Sequence, residues 1–284
     1  MLYIKNRSKK YSFKILTALI ASLLFNACDV TDRNNHLNFD VYYGSKKLNC
    51  EASFTQNGQQ WRVTQLQFYV HNIELQNNKG QWHAVSPSIA AKDHQKIALV
   101  GGVCGAQQQW QVNLKEMIAL SDQQAIRFTL GVPFHLNHKN PLTQPSPLNQ
   151  PDMFWTWQTG HKFLRLELES DNDSWLFHLG STGCQSPAPV RPPESACKNP
   201  NRSQITLALP PQTSKKADSE ASNSVPIKLD LKSLLSELDL TDSTSCQSSP
   251  DTKSCPVLLS KLGIEKAANG IDSSRVQTVF TVIQ

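Results

Sequence analysis

The sequence predicts an all-β protein: an antiparallel β-sandwich with long disulfide-closed loops and one short helix. Three observations carry this. Past residue 35, apolar residues recur with period two over most of the chain, the pattern of half-buried strands. Only one segment shows helical spacing. Once the first 28 residues are set aside, six cysteines remain, an even number suited to three disulfides in an oxidising compartment.

The strands follow in order. Leu37, Phe39, Val41 and Tyr43 form the first run, and Leu66, Phe68 and Val70 the next. Then come Ile126, Phe128, Leu130 and Val132, followed by Leu164, Leu166 and Leu168. Trp175, Phe177 and Leu179 precede Ile205, Leu207 and Leu209, and Val225, Ile227 and Leu229 come after them. A last strand is expected around residues 275–283. Leu231, Leu234, Leu235 and Leu238 share one helix face and predict the short helix. Many strands with almost no helix argue for a sandwich. One run changes parity: His71 shares a face with Gln67 and Tyr69, yet by simple alternation so do Ile73 and Leu75. A bulge near Val70 to Asn72 would produce that change, and bulges re-aim side chains at sites.

Residues 139–151, 184–200 and 211–224 are rich in Pro, Asn or Ser and read as surface excursions. None is long enough to separate domains. The chain divides into a signal-like segment (1–28), a tether (29–35) and one domain (36–284). The apolar run from Ile15 to Phe25 is shorter than the about 20 residues a membrane span needs and fits a secretory signal. It ends Ala27-Cys28, which resembles a bacterial lipobox with Cys28 as the lipidated first residue. An ordinary cleaved signal is the alternative. The expectation is a periplasmic or cell-surface protein held to the membrane by its lipid alone.

The formal charge of +5 belongs to the leader. Residues 1–28 hold five of the 28 Lys and Arg and no acid, so the other 23 are matched by 23 Asp and Glu. Nothing is left over to neutralise a phosphate backbone, and nucleic-acid binding is excluded. Twelve residues separate Cys184 from Cys197 and eight separate Cys246 from Cys255, which excludes the C-x-x-C of zinc sites and redox dithiols. Closing short loops is their natural role, leaving Cys50 with Cys104 by elimination among the 15 pairings that six cysteines allow.

The common hydrolase, protease and nucleotide motifs are absent, so the chain is not expected to be an enzyme. Glu167 and Glu169 alternate with apolar residues as solvent-facing groups would. His71 lies at the parity change, while His135 and His138 leave a strand end through Gly131-Val132-Pro133. Imidazoles from separate strands can hold copper or zinc, although for any one histidine a hydrogen-bonded structural role is the commoner reading. Trp155 and Trp157, one residue apart, would share a strand face as core, or as an oxidisable aromatic pair.

Several motifs then occur together and in order: Leu66-Gln67-Phe68-Tyr69-Val70; Phe128-Thr129-Leu130-Gly131-Val132-Pro133 with Asn137-His138; Met153-Phe154-Trp155-Thr156-Trp157-Gln158-Thr159-Gly160 with Lys162-Phe163-Leu164-Arg165; and His178-Leu179-Gly180-Ser181-Thr182-Gly183-Cys184. With Cys197-x-Asn-Pro-Asn and the Cys246/Cys255 pair, they resemble the methanobactin-associated copper-binding (MbnP) family, the metallo-mystery pair four-Cys proteins. The resemblance spans nearly all of residues 36–284. It implies a secreted β-sandwich that binds copper in copper acquisition or homeostasis. It also implies a di-haem cytochrome c peroxidase-like partner of the MbnH type, which oxidises a tryptophan to kynurenine. Related surface proteins carry Trp-x-His at their copper site; here Tyr69-Val70-His71 has tyrosine instead, so the kynurenine is not carried over to that position. Trp155 and Trp157 remain as candidates for oxidation.

The expected copper ligands are His71 and His138, with His135 and His178 next, and His36, His83 and His94 read as solvent-facing. Soft ligands are scarce, since Met1, Met117 and Met153 are the only methionines. With ordinary imidazole pKa values near 6.5, metal would be lost below about pH 6. The competing reading is a surface lipoprotein without metal that binds a ligand through exposed aromatics.

Overall fold

A computed structural model describes residues 35–88, 96–188, 190–210, 223–264 and 276–283. The leader with Cys28, and His94, lie outside the described residues. Strands β1 (His36–Tyr43), β2 (Lys46–Lys47), β7 (Gln111–Asn113), β12 (Ser224–Asp230) and β13 (Phe280–Val282) form one sheet. The second contains β3 (Ser53–Gln56), β4 (Gln59–Asn77), β5 (Trp82–Val85), β6 (Ile97–Val103), β8 (Gln123–Leu130), β9 (Lys162–Glu169), β10 (Ser174–Gly180) and β11 (Ser203–Ala208). Pairing is antiparallel except between β1 and β12. Those two run parallel because nearly the whole chain connects them and no hairpin constrains their direction. Asn35, assigned to the tether by sequence, is buried, and its amide donates to the Glu116 and Ile118 carbonyls.

The two sheets face each other through aromatic rings. Phe39 of β1 meets Phe68 of β4 edge-on at 5.3 Å and Phe128 of β8 at 5.9 Å. Phe280 of β13 meets both at 5.8 Å. Each fully buried ring contributes about 1.5–3 kcal/mol by leaving water, and each edge-to-face pair about 0.5–1.5 kcal/mol more. All the alternating runs read from the sequence become strands, although the last is three residues long. The leucine stripe becomes α2 (Leu231–Leu235), capped by the Asp230 carboxylate accepting from the Lys232 N–H. The eight-residue helix α3 (Ser254–Lys261) is an addition to the sequence reading; it packs Leu258 and Leu259 inward and is tied at Cys255 to Cys246. No helix among the described residues is long and apolar enough to cross a membrane.

Strand β4, 19 residues long, organises the second sheet. It pairs with β9 over Arg62–Phe68 and with β8 over Val70–Asn77, while β6 runs along Gln65–His71. Because β6 overlaps both stretches from the opposite edge, β8 and β9 meet end to end beside Tyr69, whose carbonyl accepts from the Gly131 N–H. The segment joining them, residues 131–161, therefore leaves the sheet at that junction and folds back over its outer face. This corrects the surface reading of 139–151: Pro141, Gln144, Pro147 and Leu148 are buried there. The Tyr69 hydroxyl donates to the Pro147 carbonyl at 3.0 Å.

Candidate metal centre

The expected bulge is present. His71 pairs with Thr129 and Glu74 with Arg127, so β4 spends one residue more than β8 between these pairs. Asn72 takes the extra position at φ 49°, a left-handed conformation that asparagine tolerates. The register then returns Leu75 opposite Ile126 on the core side. His71 is left on the outer face, 5% exposed, and neither ring nitrogen makes a well-formed hydrogen bond. Burial lowers its pKa to about 4; nearby Asn72 opposes that shift, and the charges of Arg202 and His135 reinforce it.

His138 follows the single helical turn α1 (Phe134–Asn137). Gly131, at φ 135° and packed on Arg202 and Phe163, makes the turn into it. Asn137 fixes the state of the ring beside it. Its side-chain oxygen accepts from the His161 N–H at 2.8 Å, so its amide nitrogen must face His138 Nε2, 3.1 Å away. An amide nitrogen can only donate, so Nε2 holds a lone pair, and Nδ1–H donates to the Trp157 carbonyl at 3.2 Å. A ring nitrogen donating to a carbonyl is how metal-bound histidines are oriented; here the opposite nitrogen accepts from the Asn137 amide, which a metal would have to displace. Burial lowers the His138 pKa as well, against the Trp157 hydrogen bond.

The two expected ligands share Arg202 as an electrostatic neighbour. His71 also faces His135, and His135 lines with His138 a cleft of about 460 Å³ whose wall includes Trp157, Lys139 and Pro193. His71, His135 and the His138 cleft thus fall in one region of the molecule, but the ligand atoms of the three imidazoles do not gather within 4.8 Å of one another; among the described residues only the Cys184 and Cys197 sulfurs form so close a group with His138. His161 is a structural residue: it is fully buried, with Nδ1 2.7 Å from the Asn137 carbonyl and Nε2 3.1 Å from that of Leu148. His83 is exposed and bonded to Asn77.

Trp155 and Trp157 do not share a strand face. A tight turn, closed by Trp155 N–H to the Gly160 carbonyl and Gly160 N–H to that of Thr156, sends them apart. Trp155 packs on Gly180, where an added Cβ would sit 2.4 Å from its ring, and lies 6.4 Å from His178. Trp157 borders the cleft. Period-two counting failed here because Gly160, at φ 79°, turns the chain.

Glu167 is likewise not a free surface acid. It accepts from Arg165 at 2.7 Å and from His178 Nε2 at 3.0 Å. The His178 bond, then Arg165, holds its carboxyl down at about 2 despite partial burial. Glu169 is exposed, as read. His178 Nδ1 is buried without a partner, and burial lowers the pKa of this histidine.

The six cysteines form Cys50–Cys104, Cys184–Cys197 and Cys246–Cys255, so none of them offers a thiolate. Met153 is fully buried and Met117 is exposed. With thiolates excluded, imidazoles are the nitrogen donors among the described residues, and imidazole suits copper.

A family model, MbnP, matches residues 32–248. The chain belongs to the MbnP family. Among solved structures it resembles MbnP from Methylosinus trichosporium, with a TM-score of 0.71 and 21% identity over 87% of this chain and 97% of that one. No curated protein matches it. Family and disulfides together place this MbnP-family chain outside the cytoplasm.

Proposed function

We propose that this MbnP-family chain is a copper-binding protein of copper acquisition or homeostasis, holding the metal through His71 and His138 with His135 as the third donor. The observation that carries the reading is His71. A buried imidazole with both nitrogens unpartnered is costly, about 1–3 kcal/mol for each such group, and a metal ion satisfies one of them directly. His138 adds a lone pair already oriented through its second nitrogen. Bound copper would supply Lewis acidity and one-electron chemistry; the chain supplies orientation and a shielded pocket. In this reading Cys28 carries a lipid anchor, and a di-haem peroxidase-like partner oxidises Trp157 or Trp155. Trp157 is favoured, because it borders the cleft and its carbonyl orients His138.

The test is copper stoichiometry and affinity of the mature protein against His71→Ala, His138→Ala and the exposed control His83→Ala. The first two should lose most copper while the third retains it. If both retain full copper while folded, the site lies elsewhere. Intact-mass analysis of protein made beside its di-haem partner should show added oxygen, removed by Trp157→Phe.

A further inference from the structure

The Cys184–Cys197 disulfide lies directly against His138. Cys197 Sγ is 3.6 Å from His138 Nε2, and the two sulfurs and one ring nitrogen all lie within 4.8 Å of one another. All three residues are more than nine-tenths buried. We propose that this disulfide masks a second, soft metal site: opened by a dithiol reductant, Cys184, Cys197 and His138 bind one Cu(I). The inference borrows His138 from the reading above but needs neither His71 nor copper on the oxidised protein.

The geometry is close to what such a site requires. A metal about 2.3 Å from sulfur and about 2.0–2.1 Å from nitrogen holds those donors roughly 3.5 Å apart at a tetrahedral angle, and slightly farther at a trigonal one. The Cys197–His138 separation already has this value. Only the second sulfur must swing, from its bonded position to roughly 3.8 Å from its former partner by the same bond lengths. The backbone carrying both cysteines does not depend on the S–S bond. Thr182 and Asn199 exchange both N–H···O bonds at 2.9 and 3.0 Å, Lys198 N–H donates to the Gly183 carbonyl, and Gln158 holds the Cys184 carbonyl.

The chemistry balances. A donor thiolate attacks one sulfur, the donor's second thiol resolves the mixed disulfide, and two electrons and two protons pass to Cys184 and Cys197 while the donor becomes a disulfide. Copper then displaces both thiol protons to solvent. Two thiolates, a neutral imidazole and Cu(I) leave one net negative charge in a buried place. Arg202, half-buried and an electrostatic neighbour of His138, offsets it. Two thiolates and an imidazole are the soft set that selects Cu(I).

The mature protein is treated anaerobically with dithiothreitol, opened cysteines are mapped by alkylation and mass spectrometry, and Cu(I) is titrated against a chromophoric Cu(I) chelator. The reduced protein should hold one more Cu(I) than the oxidised one and show thiolate-to-copper absorption. A Cys184→Ser/Cys197→Ser variant should lack the added copper, and Cys50→Ser/Cys104→Ser should keep it. Should the first variant fail to fold, His138→Ala in the reduced protein decides. It should weaken the added Cu(I) by more than the roughly 10–100-fold that loss of an outer-shell partner costs. The proposal is overturned if the reduced protein gains no copper, if the pair cannot be opened in the folded protein, or if His138→Ala leaves the added copper unchanged. Failure of copper binding to the oxidised protein alone would refute only the earlier reading.

Discussion

Replacing His71 with leucine should make the metal-free protein more stable and less sensitive to acid. In the unfolded chain the imidazole titrates near 6.5, and in the folded protein burial lowers it to about 4. The folded form therefore refuses a proton that the unfolded form accepts. Stability at this residue is unaffected above pH 6.5, falls by about 1.4 kcal/mol per pH unit below it, and levels off once the folded imidazole also protonates near pH 4. Between pH 7.5 and 4.5 the difference amounts to about 2.5 kcal/mol. Leucine removes that slope. It also removes two unpartnered buried nitrogens, which should raise stability at pH 7.5 by about 1–3 kcal/mol. Urea unfolding of both proteins at the two pH values measures both effects, and the other titrating groups cancel in the comparison. Equal pH dependence of wild type and His71→Leu would refute the argument, because the imidazole would then titrate as an exposed one. The same shift moves the acid release of copper below the pH 6 expected from unperturbed imidazoles, and copper should stabilise wild type but not the variant.

Gly160→Ala should weaken copper binding by roughly 10–100-fold through His138 orientation, since a Cβ at φ 79° would sit 2.6 Å from the Asn137 side chain and carbonyl; competition titration of the folded variant checks this. Glu167→Gln should flatten the acid limb of stability: the carboxyl, held at about 2 by His178 and Arg165, contributes fully above pH 4.5 and loses its contribution as pH falls toward 2. The two proteins should differ by a constant amount above pH 4.5 and converge in acid unfolding as pH falls toward 2. Thiol titration of the denatured, unreduced mature protein should find none free with Cys28 lipidated, and two or more would contradict the three bonds. Cys28→Ser should abolish partition into membranes, and a processed variant that still partitions would refute lipidation.

The sandwich was legible because each core strand alternates cleanly, and Leu66, Phe68 and Val70 are all essentially buried as counted. The bulge was legible too, since one inserted residue is the only simple way to keep both Val70 and Leu75 inside. Sequence could not show that the outer face of β4 is covered. Gln67, Tyr69 and His71 read as one face opposite the core, yet all are buried because β8 ends and β9 begins beside Tyr69 and their connection folds over it. Arg202 was missed for the same reason. It precedes β11 with no local pattern, and only the tertiary fold makes it an electrostatic neighbour of His71 and His138. The Trp155–Gly160 turn was hidden by two tryptophans at strand spacing; Gly160 after Thr159 was the available signal.

Several departures from regular structure lie near the histidines, among others found elsewhere in the described residues. Asn72 sits at φ 49° in a bulge whose extra residue the core does not need, because Val70, Ile73 and Leu75 would alternate regularly without it. Gly131 and Gly160 hold φ values of 135° and 79°, and Asn201, next to Arg202, holds 49°. A half-buried guanidinium, donating to the Val132 carbonyl, is an electrostatic neighbour of an imidazole that has no well-formed hydrogen bond. The glycines take these angles without strain, whereas the unpartnered imidazole costs on the order of 1–3 kcal/mol in isolation. Packing of the core gives no reason for the extra residue at Asn72 or for a buried imidazole without a partner. These two features at His71 and Asn72 are the physical argument for the site proposed on the outer face of β4.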